Sequence, residues 1–417
     1  MIPVVVDTVV EGLVLGGEMF WETWWALVLG FTIAGAVETF VSEEQMGAVL
    51  GGDGWRELGL GTLFGAASSS CSFGAVATTK SLFKKGASPI ASLAAFQFAS
   101  TNLVIELGLV MWILLGWEFV LADYVAGLLL IALLAVIFKY VVPASYFEAA
   151  RDHLRSSEGV RDPSCGMEVD PTSEDVVTLD TDGGVEYFCS DSCKRAYVER
   201  QRQDGGTWRD RLLTRDGWRL AAKNALGEWG MLWTDIVAGF LIAGLIGAFV
   251  PRAWWTTLFG VGAEGTFGWV LASAVLGVVI GVVTFVCSVG NVPFAVILWN
   301  NGIAFGGVMS FIFADLIVPT IDDAYRRYYG LRMAAVLFVS IFLTAVVSGV
   351  AIHYLWNGLG LVPAQGEAGG TAPAGYTTYL NALFTLVFLA EVYVGYWTDR
   401  GDADSGGDSG GHEPHAG

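Results

Sequence analysis

Apolar residues fall in long runs separated by short polar stretches. The runs lie at roughly 20–41, 59–83, 88–116 and 118–142, then at 231–251, 267–299, 302–322, 332–356 and 376–397. Each reaches the ~20 residues that a helix needs to cross a bilayer. Residues 143–230 between the two groups are polar, and the last segment, Asp399 to Gly417, is Gly/Asp/His-rich and expected to be disordered. The pattern predicts an all-α polytopic membrane protein: four spans, a soluble insert, five spans.

The two groups of runs echo each other. Gly30-Phe31-Thr32-Ile33-Ala34-Gly35 corresponds to Gly239-Phe240-Leu241-Ile242-Ala243-Gly244. Cys71-Ser72-Phe73-Gly74 corresponds to Cys287-Ser288-Val289-Gly290, and Phe96-Gln97-Phe98-Ala99 to Phe311-Ile312-Phe313-Ala314. Three matches in one order predict two sequence-related transmembrane repeats. The expected organisation is a first repeat at 1–142, a linker at 143–160, a small domain at 161–202, a linker or amphipathic segment at 203–230, a second repeat at 231–398 and an acidic tail at 399–417. Transporters built from repeats place their substrate at the repeat interface.

Each Cys-Ser-x-Gly string sets a thiol, a hydroxyl and a glycine where polar groups are costly and mark a solute path. Ser68, Ser69, Ser70 and Ser72 surround Cys71, while Thr284, Ser288 and Asn291 accompany Cys287, with Pro293 just beyond. Glycine and proline here predict broken helices whose backbone groups face a cavity. The candidate substrate-binding residues are Cys71, Ser72, Ser70, Cys287, Ser288 and Asn291. A free Cys also serves as a small apolar packing residue, and both readings stand for this pair. No P-loop for ATP occurs. Glu106, expected on one helical face with Asn102, and Asp315 are then the candidates for proton coupling. Glu38, Asp235 and Glu391 lie in or near other spans.

Charged residues make up 15% of the chain, against roughly a quarter in soluble proteins, yet Asp and Glu outnumber Lys and Arg 41 to 22. The acidic excess reads as adaptation of exposed loops to high salt, with a cation-gathering funnel as the sharper alternative. It disfavours nucleic acid as a partner. Met1 to Gly17 lacks a basic n-region, so no cleaved signal peptide is expected. Basic residues orient the spans. If spans alternate, Lys80, Lys84 and Lys85 share a side with the Arg-rich insert, which predicts a cytoplasmic insert and N-terminus in the plasma membrane. Arg326, Arg327 and Arg332 then fall on the wrong side, a conflict that a re-entrant segment near Cys287 would relieve. Trp21, Trp24, Trp25, Trp254 and Trp255 are expected as interfacial anchors.

The insert carries the other three cysteines. Asp162-Pro163-Ser164-Cys165-Gly166-Met167-Glu168-Val169-Asp170-Pro171 precedes Tyr187-Phe188-Cys189-Ser190-Asp191-Ser192-Cys193. An odd total of five cysteines does not suggest a disulfide framework, and free thiols fit a reducing compartment. Cys189 and Cys193 face one way if Ser190 to Arg200 is helical, and a helix start favours the thiolate. Cys165, Cys189 and Cys193 together suit Zn or Cu. Residues 162–200 resemble the YHS (TRASH-like) metal-binding domain, with its D-P-x-C-G-M-x-V start and Y-F-C-S-x-x-C-K finish. The resemblance implies a small ββα module that senses, hands on or is stabilised by a metal.

The membrane part resembles the ArsP-type family of predicted permeases. The resemblance rests on Leu63-Phe64-Gly65-Ala66-Ala67-Ser68-Ser69-Ser70-Cys71-Ser72, the Lys84-Lys85-Gly86-Ala87-Ser88-Pro89 turn and Phe96-Gln97-Phe98-Ala99-Ser100-Thr101-Asn102, and it extends over both halves. It implies a permease rather than an enzyme, exporting trivalent organoarsenicals such as methylarsenite. Trivalent arsenic is thiophilic, and two thiols can replace the two exchangeable hydroxyls of a monoalkyl As(III) species. The expected function is secondary-active efflux of a small thiophilic solute, with a cytosolic metal-binding domain. The alternatives are a Cu or Zn cation exporter and a membrane-anchored metal sensor. A membrane thiol oxidoreductase would want Cys-x-x-Cys or paired intramembrane His, and neither occurs.

Overall fold

Two of the apolar runs turn back on themselves instead of crossing. This shows in a computed structural model that describes residues 2–40, 50–52, 54–68, 72–84, 86–157, 169, 176–181, 184–188, 190–191, 193–194, 198, 214–260, 265–284, 288–365 and 376–397. In the first half, α1 (Ile2–Phe40) is followed by α2 (Trp55–Ser68) and α3 (Ser72–Lys84), so the run at 59–83 is two helices. α4 (Ile90–Asn102) and α5 (Ile105–Leu114) form one bent path, turning by 44° where Val104 is extended. α6 (Trp117–Tyr140) returns, and the amphipathic α7 (Ala144–Ser157) follows it. Gly61 lies against the Ala91 carbonyl and Gly65 against the Phe96 carbonyl, so α2 and α4 run in the same direction. Side-chain-free positions spaced four apart allow this close backbone approach, which drives helix association in lipid. Helix α3 returns beside them, and α2 and α3 make a hairpin. At 1.5 Å per residue the 13 residues of α3 rise about 20 Å, short of the ~30 Å hydrocarbon core.

The described part of the insert is an antiparallel hairpin of β1 (Val177–Thr181) and β2 (Gly184–Phe188), with Val177 opposite Phe188 and Thr181 opposite Gly184. A helical turn follows, in which the Lys194 N–H donates to the Ser190 carbonyl at 3.1 Å.

The second half opens with α8 (Arg215–Phe249), where the Thr214 hydroxyl accepts from the Gly217 N–H at 3.2 Å and so caps the helix start. α9 (Arg252–Phe259) turns away by 94°. The run at 267–299 is again two helices, α10 (Phe267–Thr284) and α11 (Ser288–Asn300). α12 (Phe305–Ile312) and α13 (Pro319–Tyr329) are separated by a 3-10 turn, Asp315–Ile317, and an extended Val318. α14 (Leu331–Leu359) and α15 (Tyr376–Val392), the latter continued by a π-helical turn at Tyr393–Trp397, are the last helices among the described residues. Gly277 lies against the Gly307 carbonyl and Gly281 against the Phe311 carbonyl, so α10 and α12 run in parallel and in direct contact, and α11 returns against α12.

The two hairpins open toward opposite ends of the helical body. The Lys84 end of the first lies with α7 and α13. There Arg151 Nη2 donates to the Ala87 carbonyl at 3.0 Å, His153 meets the Arg327 carbonyl at 3.3 Å, and Lys80 stands 4.2 Å over the Tyr328 ring. The Asn300 end of the second lies with the start of α6 and the end of α14. There Trp299 packs on Phe119 at 5.2 Å and Trp356 Nε1 donates to the Glu118 carbonyl at 3.1 Å.

Two expectations change as a result. α1 and α8 are antiparallel, with Gly16 against the Phe240 carbonyl and Gly35 against the Ala221 carbonyl. The late part of α1 meets the early part of α8 through Asn224 and Thr39, so α1 begins at the end opposite the insert. The expected shared side of N-terminus and insert counted each hairpin as a full crossing. The conflict over Arg326 and Arg327 also disappears, because α13 ends beside Lys80 and His153.

Trp117–Tyr140, Phe267–Thr284, Leu331–Leu359 and Thr377–Gly395 are each long and apolar enough to cross a membrane, and the two bent pairs qualify together. The chain is a multi-pass helical membrane protein. Not all of its tryptophans anchor it: Trp24 packs on Trp229 at 5.3 Å and donates to Thr385, and Trp255 is buried against Phe259, whereas Trp21 and Trp254 are exposed.

Candidate functional site

The inner ends of the two hairpins meet at one carboxylate. Ser72 opens α3, Ser288 opens α11, and Asp315 begins the turn between α12 and α13. Ser72 Oγ donates to Asp315 Oδ2 at 3.0 Å, and Ser288 Oγ donates to the same oxygen at 2.5 Å. Asn102 Nδ2, from the last residue of α4, donates to Oδ1 at 3.1 Å and also to Thr101 Oγ1 at 2.8 Å. All four groups are buried, none more than 5% exposed. The chain thereby ties both hairpins, the end of α4 and the turn between α12 and α13 to a single side chain. The starts of α3 and α11 lie here, and the positive end of a helix dipole gives this place a field that favours negative charge.

Further polar groups lie along the same elements. Asn291, one helical turn beyond Ser288, is fully buried, and neither atom of its amide has a partner among the described residues. Gln97 Nε2 donates to the Tyr325 hydroxyl, linking α4 to α13. Phe98 packs edge-on against Phe313 at 5.5 Å. Aromatic rings pack toward both ends, tilted or edge-on: Tyr325, Tyr329 and Phe83 toward the insert end, and Phe119, Trp299 and Phe305 toward the other.

Of the residues expected from sequence, Ser72, Ser288 and Asp315 come together. Cys71, Ser70 and Cys287 lie outside the described residues, as do Cys165 and Cys189. Cys193 is half-buried, and its backbone N–H donates to Ser190 Oγ at 3.3 Å. Among the described residues no three His, Cys, Asp or Glu side chains converge as metal ligands. Glu106 is buried on α5 against Gly30 of α1. The break at Leu103 and Val104 separates it from Asn102, which overturns the expectation of one continuous helical face.

The sequence reading missed Asp123. It lies inside α6, is 1% exposed, and neither carboxylate oxygen has a hydrogen-bond partner among the described residues. An Asp seven positions into a 24-residue apolar helix was a readable signal.

A family profile described as a predicted permease matches residues 11–354. A permease candidate of Mycobacterium tuberculosis (strain H37Rv), Rv2963, is 38% identical over 357 residues, which cover 85% of this chain and 79% of that one. No solved structure matches the chain.

Proposed function

The chain belongs to the ArsP-type family of predicted permeases, and on that premise we propose that it is a secondary-active exporter of thiophilic solutes such as trivalent organoarsenicals. The solute is held between Cys71 and Cys287. One observation carries this reading: the residues that follow these two cysteines, Ser72 and Ser288, donate to the same oxygen of Asp315. Two thiols that displace the hydroxyls of a monoalkyl As(III) species form two As–S bonds and release two waters, with the thiol protons leaving on the departing hydroxyls. The unpartnered amide of Asn291 gives the solute a polar neighbour.

Two inverted repeats are part of the reading. The corresponding helices α1 and α8 run antiparallel, the hairpins open to opposite ends, and Phe98 and Phe313, matching positions of the two Phe-x-Phe-Ala strings, pack on each other. Such repeats carry solute at their interface and alternate by rocking one element set against the other. Asp315 couples the movement: adding a proton weakens the charge-assisted bonds from Ser72, Ser288 and Asn102 that hold the hairpins together.

The insert end carries Lys80, Lys84, Arg151, Arg326 and Arg327, and Arg252 is the one basic residue in described segments at the other end. The bias supports a cytoplasmic insert. The thiols Cys165, Cys189 and Cys193 would hold Zn or Cu there. The β-hairpin that runs straight into Cys189, and the turn that follows with Cys193, fit a small ββα module. Such a metal supplies a soft-ligand centre for sensing or transfer.

Cys71→Ser and Cys287→Ser should each abolish efflux of methylarsenite from a sensitive host at unchanged protein level; wild-type efflux from either variant sinks the dithiol reading. The Cu or Zn exporter reading has one observation beside it, the buried carboxylate Asp315 bound by the serines that follow Cys71 and Cys287, which would set a carboxylate near the two thiols. Tolerance to Cu or Zn with none to methylarsenite or phenylarsenite would select it.

A further inference from the structure

Asp315 is the hub of the site, but it is not the only buried carboxylate there. Asp123 sits one turn before Gly127, and Gly127 lies against Leu103 and Phe98, so this face of α6 backs onto the break between α4 and α5. Asp123 is within electrostatic reach of Asp315. Asp315 acts on Asp123, and the neutral donors Ser288, Asn102, Ser72 and Thr101 act on Asp315; Tyr124 lies within reach of both Asp123 and Glu106, and Tyr325 within reach of Asp315, and no Lys, Arg or His is among these described groups. Two ionised carboxylates in a sealed apolar body without a cation are not sustainable.

The surrounding amides point the same way. Asn102 is fully buried; its Nδ2 is fixed on Asp315, and its Oδ1 has no partner among the described residues. Gln97 is fully buried too, with its Nε2 on Tyr325 and its Oε1 unpartnered. Both Asp123 oxygens are unpartnered. Among the described residues the place therefore holds a surplus of acceptors around Asp123 and no positive charge. The unsatisfied atoms of Asp123, Asn102 and Gln97 are all oxygens, which suits a small hard cation and not a soft metal.

We propose that Asp123 and Asp315, with Asn102 Oδ1 between their helices, form a buried site for one monovalent hard cation, a proton or Na⁺. Ser72 and Ser288, which follow the two cysteines in sequence, bind Asp315, so on the permease reading the ion and the solute occupy adjoining places. The site rests on the permease reading only in being called the coupling site; its occupancy does not depend on any solute.

The test therefore uses purified full-length protein without solute. Infrared difference spectra at neutral pH report the carbonyl stretch of a protonated carboxylic acid, and ²²Na⁺ binding is measured in choline buffer on the same samples. Wild type, Asp123→Asn and Asp123→Leu are compared, with size-exclusion profiles as the check on folding. If the ion is a proton, wild type shows a carboxylic-acid band that Asp123→Asn loses, and it binds no Na⁺. If the ion is Na⁺, wild type binds one equivalent that both variants lose. Wild type with neither signal, or folded variants that keep the wild-type signal, overturns the proposal. Loss of arsenical transport with these signals intact would instead overturn the solute assignment.

Discussion

Ser72 and Ser288 come from different hairpins and share one acceptor oxygen, so removing them should not be additive. Ser288→Ala deletes a 2.5 Å bond and Ser72→Ala a 3.0 Å bond to Asp315 Oδ2. Hydrogen bonds to charged groups contribute about 1.5–3 kcal/mol in soluble proteins. Intramembrane pairs average about 0.6 kcal/mol and reach about 1.7 kcal/mol. Each single change should then cost about 1 kcal/mol, Ser288→Ala the more. With either serine gone, the other still covers the oxygen. With both gone, a buried carboxylate oxygen loses its side-chain donors, a penalty of about 1–3 kcal/mol. The double variant should fall below the sum of the singles by about 1 kcal/mol, within the range for residues that share a partner. Reversible unfolding in mixed detergent micelles measures all four forms. Additivity within about 0.5 kcal/mol would refute the shared acceptor, and with it the meeting of the two hairpins.

The glycine contacts that hold each hairpin to its neighbour give a second prediction. A Cβ at Gly277 would stand 2.2 Å from the Gly307 carbonyl oxygen and one at Gly61 2.5 Å from the Ala91 oxygen, while Gly59 has nothing within 4 Å. Gly277→Val and Gly61→Val should lower the melting temperature in detergent through overpacking of about 1–3 kcal/mol or more, and Gly59→Val should leave it unchanged; equal behaviour of the three would contradict the parallel packing. Topology supplies a third prediction: tags at the N-terminus and within the insert should be cut by protease from opposite faces of sealed vesicles, and cleavage of both from one face would contradict the crossing count.

The helices themselves were legible because a bilayer demands long apolar runs, and the runs are there. Their reversals were not. A run such as 59–83 has the same composition whether it crosses once or turns back, and the direction of α3 is set by contacts of Gly61 and Gly65 with residues outside the run. The spacing of those glycines, repeated by Gly277 and Gly281, was the available clue. Within the site, Asp315 stood out because a carboxylate in an apolar run has few bland uses, and the serines beside the cysteines stood out by repetition. Their joint contact could not be read, since it joins elements from opposite ends of the body. Asn102 and Glu106 looked like neighbours on one helix because four-residue spacing assumes an unbroken turn, and Val104 breaks it. The wrong side for the N-terminus followed from the same miscount of hairpins as spans.

The convergence of the hairpins is tested most directly by the two thiols. In a variant with Cys165, Cys189 and Cys193 changed to Ser and a protease site placed at 203–213, only Cys71 and Cys287 remain. Oxidation in the membrane, or a short dithiol-bridging arsenical, should keep the two halves joined after cleavage, and reduction should part them. If both thiols react singly with a small alkylating agent yet the halves always separate, the hairpin ends do not bring Cys71 and Cys287 together.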